Sequence, residues 1–398
     1  MTSKILIGTT MLLASAVSAE VTWPELIVHL HKAGHAYLID PSTDKVVADI
    51  KTNNGGNLGS ITPDGKHIYV GAAAVGEDTV TVINLESKTA VASIKTGSIP
   101  KHPQVSPNGK LVVVNHWGLD EGKLRVSFID TATNTIARNV ELKVNTDNQK
   151  APSMHNSWSL DSRYAFTVDR TDNQLVIIDT EDWSIINKYV ESKPHYHVPS
   201  PDGKELWLVV EGKDQTNKPG IRVYDLTKPK FPELARMDMP LIGEEEMEGH
   251  HGNFTQDGKY FMILNRGKGK GREIAFFDVK TKQLVRRLTT ASNGIGHAYN
   301  SPDGRYSIIT NYGNNTISII DTHTLNPVTD FTIGKGRMGH VAYTKDSRYA
   351  YISNAGDGNL HKLDMWNMKL VGEIKTGNQA GGGQVLNVWN NVFEEIPQ

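Results

Sequence analysis

The chain has 398 residues, of which 42 are Lys or Arg and 44 are Asp or Glu, giving a formal net charge of −2 at pH 7. This near-neutral balance provides no basic footprint for nucleic acid, which is therefore not expected as a partner. The absence of cysteine excludes disulfides, thiolate metal sites and haem attachment through Cys-x-x-Cys-His. Any bound metal must be held by nitrogen and oxygen ligands.

The beginning of the chain has the pattern of a secretory signal peptide. Lys4 precedes an apolar run, and small residues ending at Ala19 form an Ala-x-Ala-like cleavage site. The run is shorter than the roughly 20 apolar residues of a spanning helix, and no later stretch is apolar enough to cross a bilayer. The sequence therefore predicts a signal peptide (1–19) followed by a single exported, periplasmic domain (20–398) without a membrane span.

Two short signals recur along the rest of the chain, at the spacing of about 45 residues that is typical of four-stranded propeller blades. The first is an apolar pair followed by an acidic or amide residue, as where a strand enters a turn. It occurs eight times, at Asp40, Asn84, Asp130, Asp179, Asp225, Asp278, Asp321 and Asp364. The second is the hairpin sequence Ser/Thr-x-Asp/Asn-Gly/Ser, whose residues suit a tight turn. It occurs seven times, beginning at Thr62, Ser106, Ser159, Ser200, Thr255, Ser301 and Thr344.

The chain has eight strand-end signals but only seven hairpin sequences, and this difference indicates how the ring closes. The chain begins inside a blade, with strands near Leu26–Leu30, Ala36–Ile39 and Val46–Ile50, and the missing innermost strand is expected at Gln384–Trp389. Sharing one blade between the two ends removes the exposed sheet edges of an open array. The predicted fold is an all-β, eight-bladed β-propeller, with seven blades as the alternative.

The histidines fall into register with the hairpin turns. Counting back four residues from the Ser or Thr that opens a turn reaches a histidine in five blades, at His102, His155, His251, His297 and His340. In a further blade His197 lies one residue out of register, beside His195. One such histidine is usually a hydrogen-bonded packing residue. Six that converge on the axis at the start of the innermost strands favour a metal site, since each buried imidazole needs a partner.

Residues that follow the second strands are predicted to complete the same rim. Asp169 is the candidate oxygen ligand, while Lys32, Arg170 and Glu211 are candidates to orient an anionic substrate or move protons. His250 neighbours His251 on a strand and is expected to point to the opposite side, as a support or proton relay. For each of these residues, a solvated loop position is the alternative interpretation.

The repeat layout resembles the YVTN and cytochrome-d1-type propellers, and the segment from Gly383 to Asn390 is similar to the closing strand of the haem d1 domain of nitrite reductases. The histidine ring resembles the copper-cluster propellers of nitrous oxide reductase and thiocyanate dehydrogenase. That resemblance implies copper ligands at His102, His155, His197, His251, His297 and His340, with Asp169 matching the acidic ligand. The chain lacks the cysteine-bearing and c-haem domains of those enzymes, and its ring has gaps at Asn57 and 381–383.

Three functions are consistent with the sequence. The first is a periplasmic copper oxidoreductase with a multinuclear site, which acts on a small inorganic anion or molecule such as thiocyanate and passes electrons to a separate electron-transfer protein. The second is a non-catalytic metal-binding propeller, or one that binds haem d1 or serves its assembly. The third is a protein-binding scaffold. Flat aromatic and arginine clusters on the rim would favour a tetrapyrrole, and converging imidazoles with Asp169 would favour copper.

Overall fold

The structure is a computed structural model, and it describes residues 25–144, 152–212, 216, 218–239, 247–267, 273–289, 294–377 and 379–388. These residues form eight four-stranded antiparallel sheets, each of them one blade of a closed ring. No helix occurs among them, and so none that could cross a membrane. The predicted signal peptide (1–19) lies outside the described residues.

The strands follow the chain blade by blade, and only the first blade mixes the two ends of the chain. Blade 1 contains β1 (Ile27–His31), β2 (His35–Asp40), β3 (Lys45–Lys51) and the last strand, β32 (Gly382–Asn387). Blades 2 to 4 contain β4 (Gly59–Ile61), β5 (His67–Val70), β6 (Thr79–Asn84), β7 (Thr89–Lys95), β8 (Gln104–Val105), β9 (Leu111–Asn115), β10 (Lys123–Asp130), β11 (Thr135–Lys143), β12 (Ser157–Trp158), β13 (Tyr164–Asp169), β14 (Gln174–Asp179) and β15 (Ile185–Tyr189). Blades 5 and 6 contain β16 (Pro194–Pro199), β17 (Glu205–Val210), β18 (Gly220–Asp225), β19 (Glu233–Asp238), β20 (Met247–Phe254), β21 (Tyr260–Gly267), β22 (Glu273–Asp278) and β23 (Leu284–Thr289). Blades 7 and 8 contain β24 (Ile295–Asn300), β25 (Tyr306–Asn311), β26 (Thr316–Asp321), β27 (Asn326–Thr332), β28 (Met338–Tyr343), β29 (Tyr349–Asn354), β30 (Leu360–Asp364) and β31 (Lys369–Ile374).

The seven predicted hairpin turns share one local structure. In each of them the Ser or Thr hydroxyl donates to the Asp or Asn side chain two residues later, at 2.5–2.8 Å. The fourth position, Gly or Ser, has a φ between 60° and 73°, a conformation that glycine adopts without steric cost. These turns join the first and second strands of their blades, at the end of the ring opposite to the start of the innermost strands.

The middle strands are buried on both faces because each blade is covered by its two neighbours. Between blades 5 and 6, for example, Trp207 of β17 packs against Phe254 and Phe261, all of them fully buried. The outermost strands, such as β7, are mostly exposed, with one partly buried and one buried side chain in β7. Apolar runs in the second and third strands therefore supply one separate core for each blade interface.

Ring closure occurs in the predicted blade. Strand β32 pairs with β1 in antiparallel register, with Val28 opposite Leu386, and Gln384 Oε1 accepts from Gly59 N of blade 2 at 2.7 Å. The prediction of eight blades with a shared first blade is confirmed, and the seven-blade alternative is wrong. The closing strand is described as Gly382–Asn387; Val388 of the predicted segment Gln384–Trp389 follows it, and Trp389 lies outside the described residues.

Candidate metal centre

Bulges in the innermost strands of blades 5 and 6 turn extra histidines toward the axis. On β16, His195 is the unpaired residue between Pro194 and Tyr196, which lie opposite two successive residues of β17. On β20, His250 is inserted in the same way between Gly249 and His251. Such bulges often re-aim a side chain next to a functional site.

Three further histidines donate their backbone N–H groups to side chains of the second strands. His297 N donates to Thr310 Oγ1 at 3.2 Å, and His340 N donates to Ser353 Oγ at 2.8 Å. In blade 3, His102 N donates to the side-chain oxygen of Asn115 at 3.1 Å. These bonds satisfy amides where the strand pairing is interrupted, so the start of each innermost strand can present its imidazole to the axis.

Seven buried imidazoles form one continuous group, which we call the histidine cluster: His102, His155, His195, His250, His251, His297 and His340. Along the cluster, ring centroids lie 4.3 Å apart for His102 and His155, 4.6 Å for His155 and His251, 3.8 Å for His251 and His297, and 4.9 Å for His297 and His340. One ring nitrogen from each of His155, His195 and His251 lies within 4.8 Å of the other two. That spacing permits a metal ion to be shared between them.

Burial keeps the centre of the cluster neutral. The pKa values of His155, His195 and His250 are lowered well below 6.5, first by loss of solvent and then by the neighbouring imidazoles. Neutral imidazole is the form that binds metals. Within the described residues, His195 Nε2 and His250 Nδ1 are buried without a hydrogen-bond partner. Buried polar atoms are rarely left unpaired, so this cluster fits a bound metal by its own geometry.

In blade 5 the structure places His195, and not the predicted His197, among the clustered imidazoles. The Nδ1 of His197 bonds to Ser157 Oγ at 2.6 Å and its Nε2 to the carbonyl of His155 at 3.1 Å, so both nitrogens serve packing. His195 occupies the cluster instead, with its ring 4.4 Å from that of His250 and 5.4 Å from that of His251. The regular register position is held by Tyr196, whose ring lies 4.8 Å from that of His251.

His250 also differs from its prediction. Simple strand alternation would turn it away from His251, but the bulge breaks the alternation. The two rings lie 4.2 Å apart, and His250 is a member of the cluster rather than a residue behind it.

Asp169 is the last residue of β13, and its side chain caps the turn that follows. Its Oδ1 accepts from the backbone amide and the hydroxyl of Thr171, at 2.8 and 2.6 Å. Burial raises its pKa. Among the described residues it belongs to neither of the two groups of side chains whose geometry suits a metal ion. This geometry does not support Asp169 as the acidic ligand, and that role stays a prediction.

Glu211 is the carboxylate that reaches the cluster. His195 Nδ1 donates to Glu211 Oε1 at 2.6 Å, and Arg170 forms an ion pair with the same oxygen. Burial raises the pKa of Glu211, while Arg170 opposes that change. Glu248, which pairs with Arg266, comes within 4.8 Å of Glu211 and His195 through its ligand oxygen. Sequence reasoning selected Glu211 but missed its contact with His195.

A cavity of about 420 Å³ opens beside the cluster, and cations and aromatic rings line it. Lys32, Lys101 and Arg337 reach it from three blades. Lys101 Nζ lies 3.0 Å from the centre of the Trp117 ring, and Arg337 lies 5.6 Å from that of Tyr312. Burial, followed by Lys32 and Arg337, lowers the pKa of Lys101 well below its usual value. Only Lys32 of these three was predicted from the sequence.

The site thus defines the molecule as an eight-bladed β-propeller with a buried histidine cluster at one end of its axis. No protein-family model matches the chain, and neither does any curated protein sequence. Among solved structures, the dihydro-haem d1 dehydrogenase NirN in complex with DHE is similar, with a TM-score of 0.71 and 18% identity over 94% of this chain and 77% of NirN.

Two other solved propellers illustrate the spread of this fold. AztD from Citrobacter koseri has a TM-score of 0.65 and 13% identity, covering 92% of this chain and 98% of AztD. The periplasmic gluconolactonase PpgL from Pseudomonas aeruginosa has a TM-score of 0.59 and 16% identity, covering 79% and 97%. At these identities the likeness establishes the fold alone. The expected resemblance to cytochrome-d1-type propellers is confirmed to that extent, whereas the resemblance to copper-cluster propellers stays a prediction.

Proposed function

We propose that the protein is a periplasmic, copper-dependent oxidoreductase that acts on a small inorganic anion or molecule such as thiocyanate. The observation that carries this proposal is the histidine cluster, in which seven buried imidazoles adjoin one another and two ring nitrogens lack a partner among the described residues. Packing alone does not explain so many buried nitrogen donors, because each unpaired one costs about 1–3 kcal/mol.

Copper is the metal that the donor set favours. Imidazole ligands suit copper, and Cu(II) has the highest affinity among the divalent first-row metals. His155, His195 and His251 would form the centre of the ligand set, and the other members of the cluster would extend it to a multinuclear site. Bound copper would supply one-electron redox chemistry. Because the chain has no cysteine for a second copper domain, we propose that electrons leave to a separate electron-transfer protein.

The chain's own residues would prepare the ligands and move protons. Glu211 accepts from His195 Nδ1, which keeps the hydrogen on that nitrogen and leaves Nε2 as the donor toward the cluster. The raised pKa of Glu211 brings this carboxyl closer to the range in which it can exchange protons with a substrate or product. Lys32 lines the cavity beside the cluster and would attract an anion.

Export to the periplasm belongs to the same proposal. It is supported by the signal-peptide pattern of residues 1–19 and by the similarity to a propeller described as periplasmic.

A tetrapyrrole-binding propeller, which takes up or assembles haem d1, is the second candidate. The cavity beside the cluster is lined by Trp117, Tyr312, Lys101 and Arg337, groups that stack on a macrocycle and pair with its carboxylates. The similarity in fold to NirN, solved with DHE, supports the same candidate. The number of converging imidazoles exceeds the one or two axial ligands that a haem needs, which favours copper ions.

Metal analysis separates these functions. The mature protein would be reconstituted with copper, freed of excess metal and examined by elemental analysis and electron paramagnetic resonance. We expect two or more coppers per chain, nitrogen coupling in the spectrum, and loss of copper in His155→Gln and His251→Gln. His323→Gln, which changes an exposed histidine, is the matched control. A folded protein that retains no copper but binds a haem with a new visible spectrum would overturn the copper proposal and support the tetrapyrrole candidate.

A further inference from the structure

The histidine cluster does not surround the axis. The innermost strands of blades 1 and 2 carry no histidine, and the cavity wall there is made of Gly382, Gly383, Gln384, Asn57 and Leu58. A side chain at Gly383 would lie 2.6 Å from Asn57 Cβ, so this part of the wall is close-packed backbone. We call this stretch of the cavity wall, which carries no imidazole, the gap in the cluster.

Three cations border the gap. Lys32 follows β1 of blade 1, Lys101 precedes β8 of blade 3, and Arg337 precedes β28 of blade 8. None of them forms an ion pair with a carboxylate of the described residues. By contrast, Arg170 of blade 4 and Arg266 of blade 6, which also lines the cavity, each pair with a glutamate. The positive charge at the gap is therefore not neutralised within the part of the chain that the structure describes.

These cations also repel one another. Their side chains line the same cavity, which places the three positive groups within electrostatic range of one another. A negative charge between them would relieve this repulsion and gain attraction from all three in a partly desolvated cavity. An anion placed among the three groups would therefore be favoured electrostatically.

The rest of the lining selects among anions. Leu58, Ala73, Met154, Met338 and the face of Trp117 present apolar surface to the same cavity. Such a lining penalises strongly hydrated ions because their water must be removed. It tolerates weakly hydrated, polarisable ions that also contact aromatic faces and thioethers.

We propose that the gap between blades 8 and 3 is an anion port, in which Lys32, Lys101 and Arg337 bind one small, weakly hydrated monoanion beside the histidine cluster. The role of the port as a substrate site rests on the proposed function, but anion binding is a property of the metal-free chain. Lys101 and Arg337 are positioning residues that select and hold the anion. A carboxylate of a tetrapyrrole could bind to the same three cations. The experiment below distinguishes a free inorganic anion from a tetrapyrrole.

Isothermal titration of the metal-free full-length protein tests the port. Sodium thiocyanate, sodium sulfate and metal-free protoporphyrin IX would be titrated at constant ionic strength. We expect one saturable thiocyanate site, with sulfate bound more weakly despite its larger charge. Lys101→Met and Arg337→Gln should each weaken thiocyanate binding at least about fivefold, since a charged contact is lost, and Lys101→Arg should retain it.

Matched controls lie at the opposite end of the ring. Lys259 and Arg305 are exposed in hairpin turns and also contact aromatic faces, with each charged group 4.9 Å from a tyrosine ring centre. Lys259→Met and Arg305→Gln therefore make the same charge changes away from the gap and should leave thiocyanate binding unchanged.

Three outcomes would overturn the port: no saturable thiocyanate binding, equal weakening by port and control variants, or binding of protoporphyrin alone with losses in the port variants. Arg337 is exposed, so its variant is not expected to disturb folding, and circular dichroism checks the others. Thiocyanate binding by the metal-free protein, together with failure of the protein to retain copper after reconstitution, would support the port while contradicting the oxidoreductase. Copper retention without thiocyanate binding would contradict the port while leaving the copper site of the proposed function supported.

Discussion

Replacing His116 with glutamine should flatten the acid dependence of stability. His116 is fully buried behind the rim, where its Nδ1 donates to the carbonyl of Arg125 at 2.8 Å and its Nε2 bonds to Thr96 Oγ1 at 3.2 Å. Burial lowers its pKa to about 4, despite the opposing hydrogen bond from the ring to Arg125. Both nitrogens are used by the fold, so this histidine acts in stability rather than at the metal centre.

The sign of the effect follows from proton binding. The unfolded chain has the ordinary histidine pKa near 6.5, so between that value and the folded pKa it binds more protons than the native state does. Stability from the neutral, buried ring is complete above pH 6.5 and is lost as the pH falls toward 4. For these two pKa values, acidification from about pH 7 to about pH 5 should cost about 2 kcal/mol.

Urea unfolding followed by circular dichroism would measure this loss in both proteins. His116→Gln keeps an amide donor for the Arg125 carbonyl but cannot titrate. We expect the variant to be less stable than the wild type near neutral pH and to lose about 2 kcal/mol less on acidification. Other buried histidines and carboxylates titrate alike in the two proteins and cancel in the difference. Parallel stability curves over this pH range would refute the assignment of a buried, neutral His116.

The remaining predictions concern the cluster and the ring. Glu211→Gln removes the carboxylate that orients His195, so copper affinity measured by chelator competition should fall roughly 10- to 100-fold; unchanged affinity would show that Glu211 does not act through this imidazole. Gly383→Ala places a methyl group 2.6 Å from a neighbouring Cβ, whereas at Gly372 nothing lies nearer than 3.9 Å. The first variant should therefore lower Tm and the second should not, and equal Tm values would argue against close packing at the closing strand. His197→Asn should retain copper, while its free energy of unfolding, measured with urea, falls by about 1–3 kcal/mol. Loss of copper from a folded variant would restore His197 to the ligand set.

The architecture was predictable because its signals are local. The hydroxyl-to-carboxylate bond of each hairpin turn joins residues two positions apart, as in Thr62 and Asp64, so its sequence can be recognised without tertiary information. The blade shared between the two ends of the chain was predicted because there is one more strand-end signal than there are hairpin sequences. Both features repeat around the ring, and repetition made them visible.

The site residues were harder because a bulge changes which side chain faces the axis. Strict alternation from the hairpin turn reaches Tyr196 in blade 5, and neither His195 nor His197 satisfies it. The extra residue in β16 resolves the choice in favour of His195, and no periodic pattern reveals a single inserted residue. The adjacent pair of His250 and His251 was the one available sign that alternation fails on β20.

Asp169 could have been interpreted differently from the sequence. A hydroxyl residue two positions later, Thr171, is the pattern of an Asp side chain that caps its own turn, and this is the structure observed. Lys101 and Arg337 were missed for another reason. They precede their innermost strands rather than follow a second strand, and only the closed ring brings them to the gap beside Lys32.

Closure through β32 has a consequence for the order of folding. Pairing β1 with β32 joins the two ends of the described chain, which is the most non-local contact in the ring and among the slowest kinds to form. The same strand carries Gly382, Gly383 and Gln384 into the cavity wall. Before β32 pairs with β1, the ring of blades is open and this part of the cavity wall is missing. The proposed anion port is therefore completed only when the ring closes.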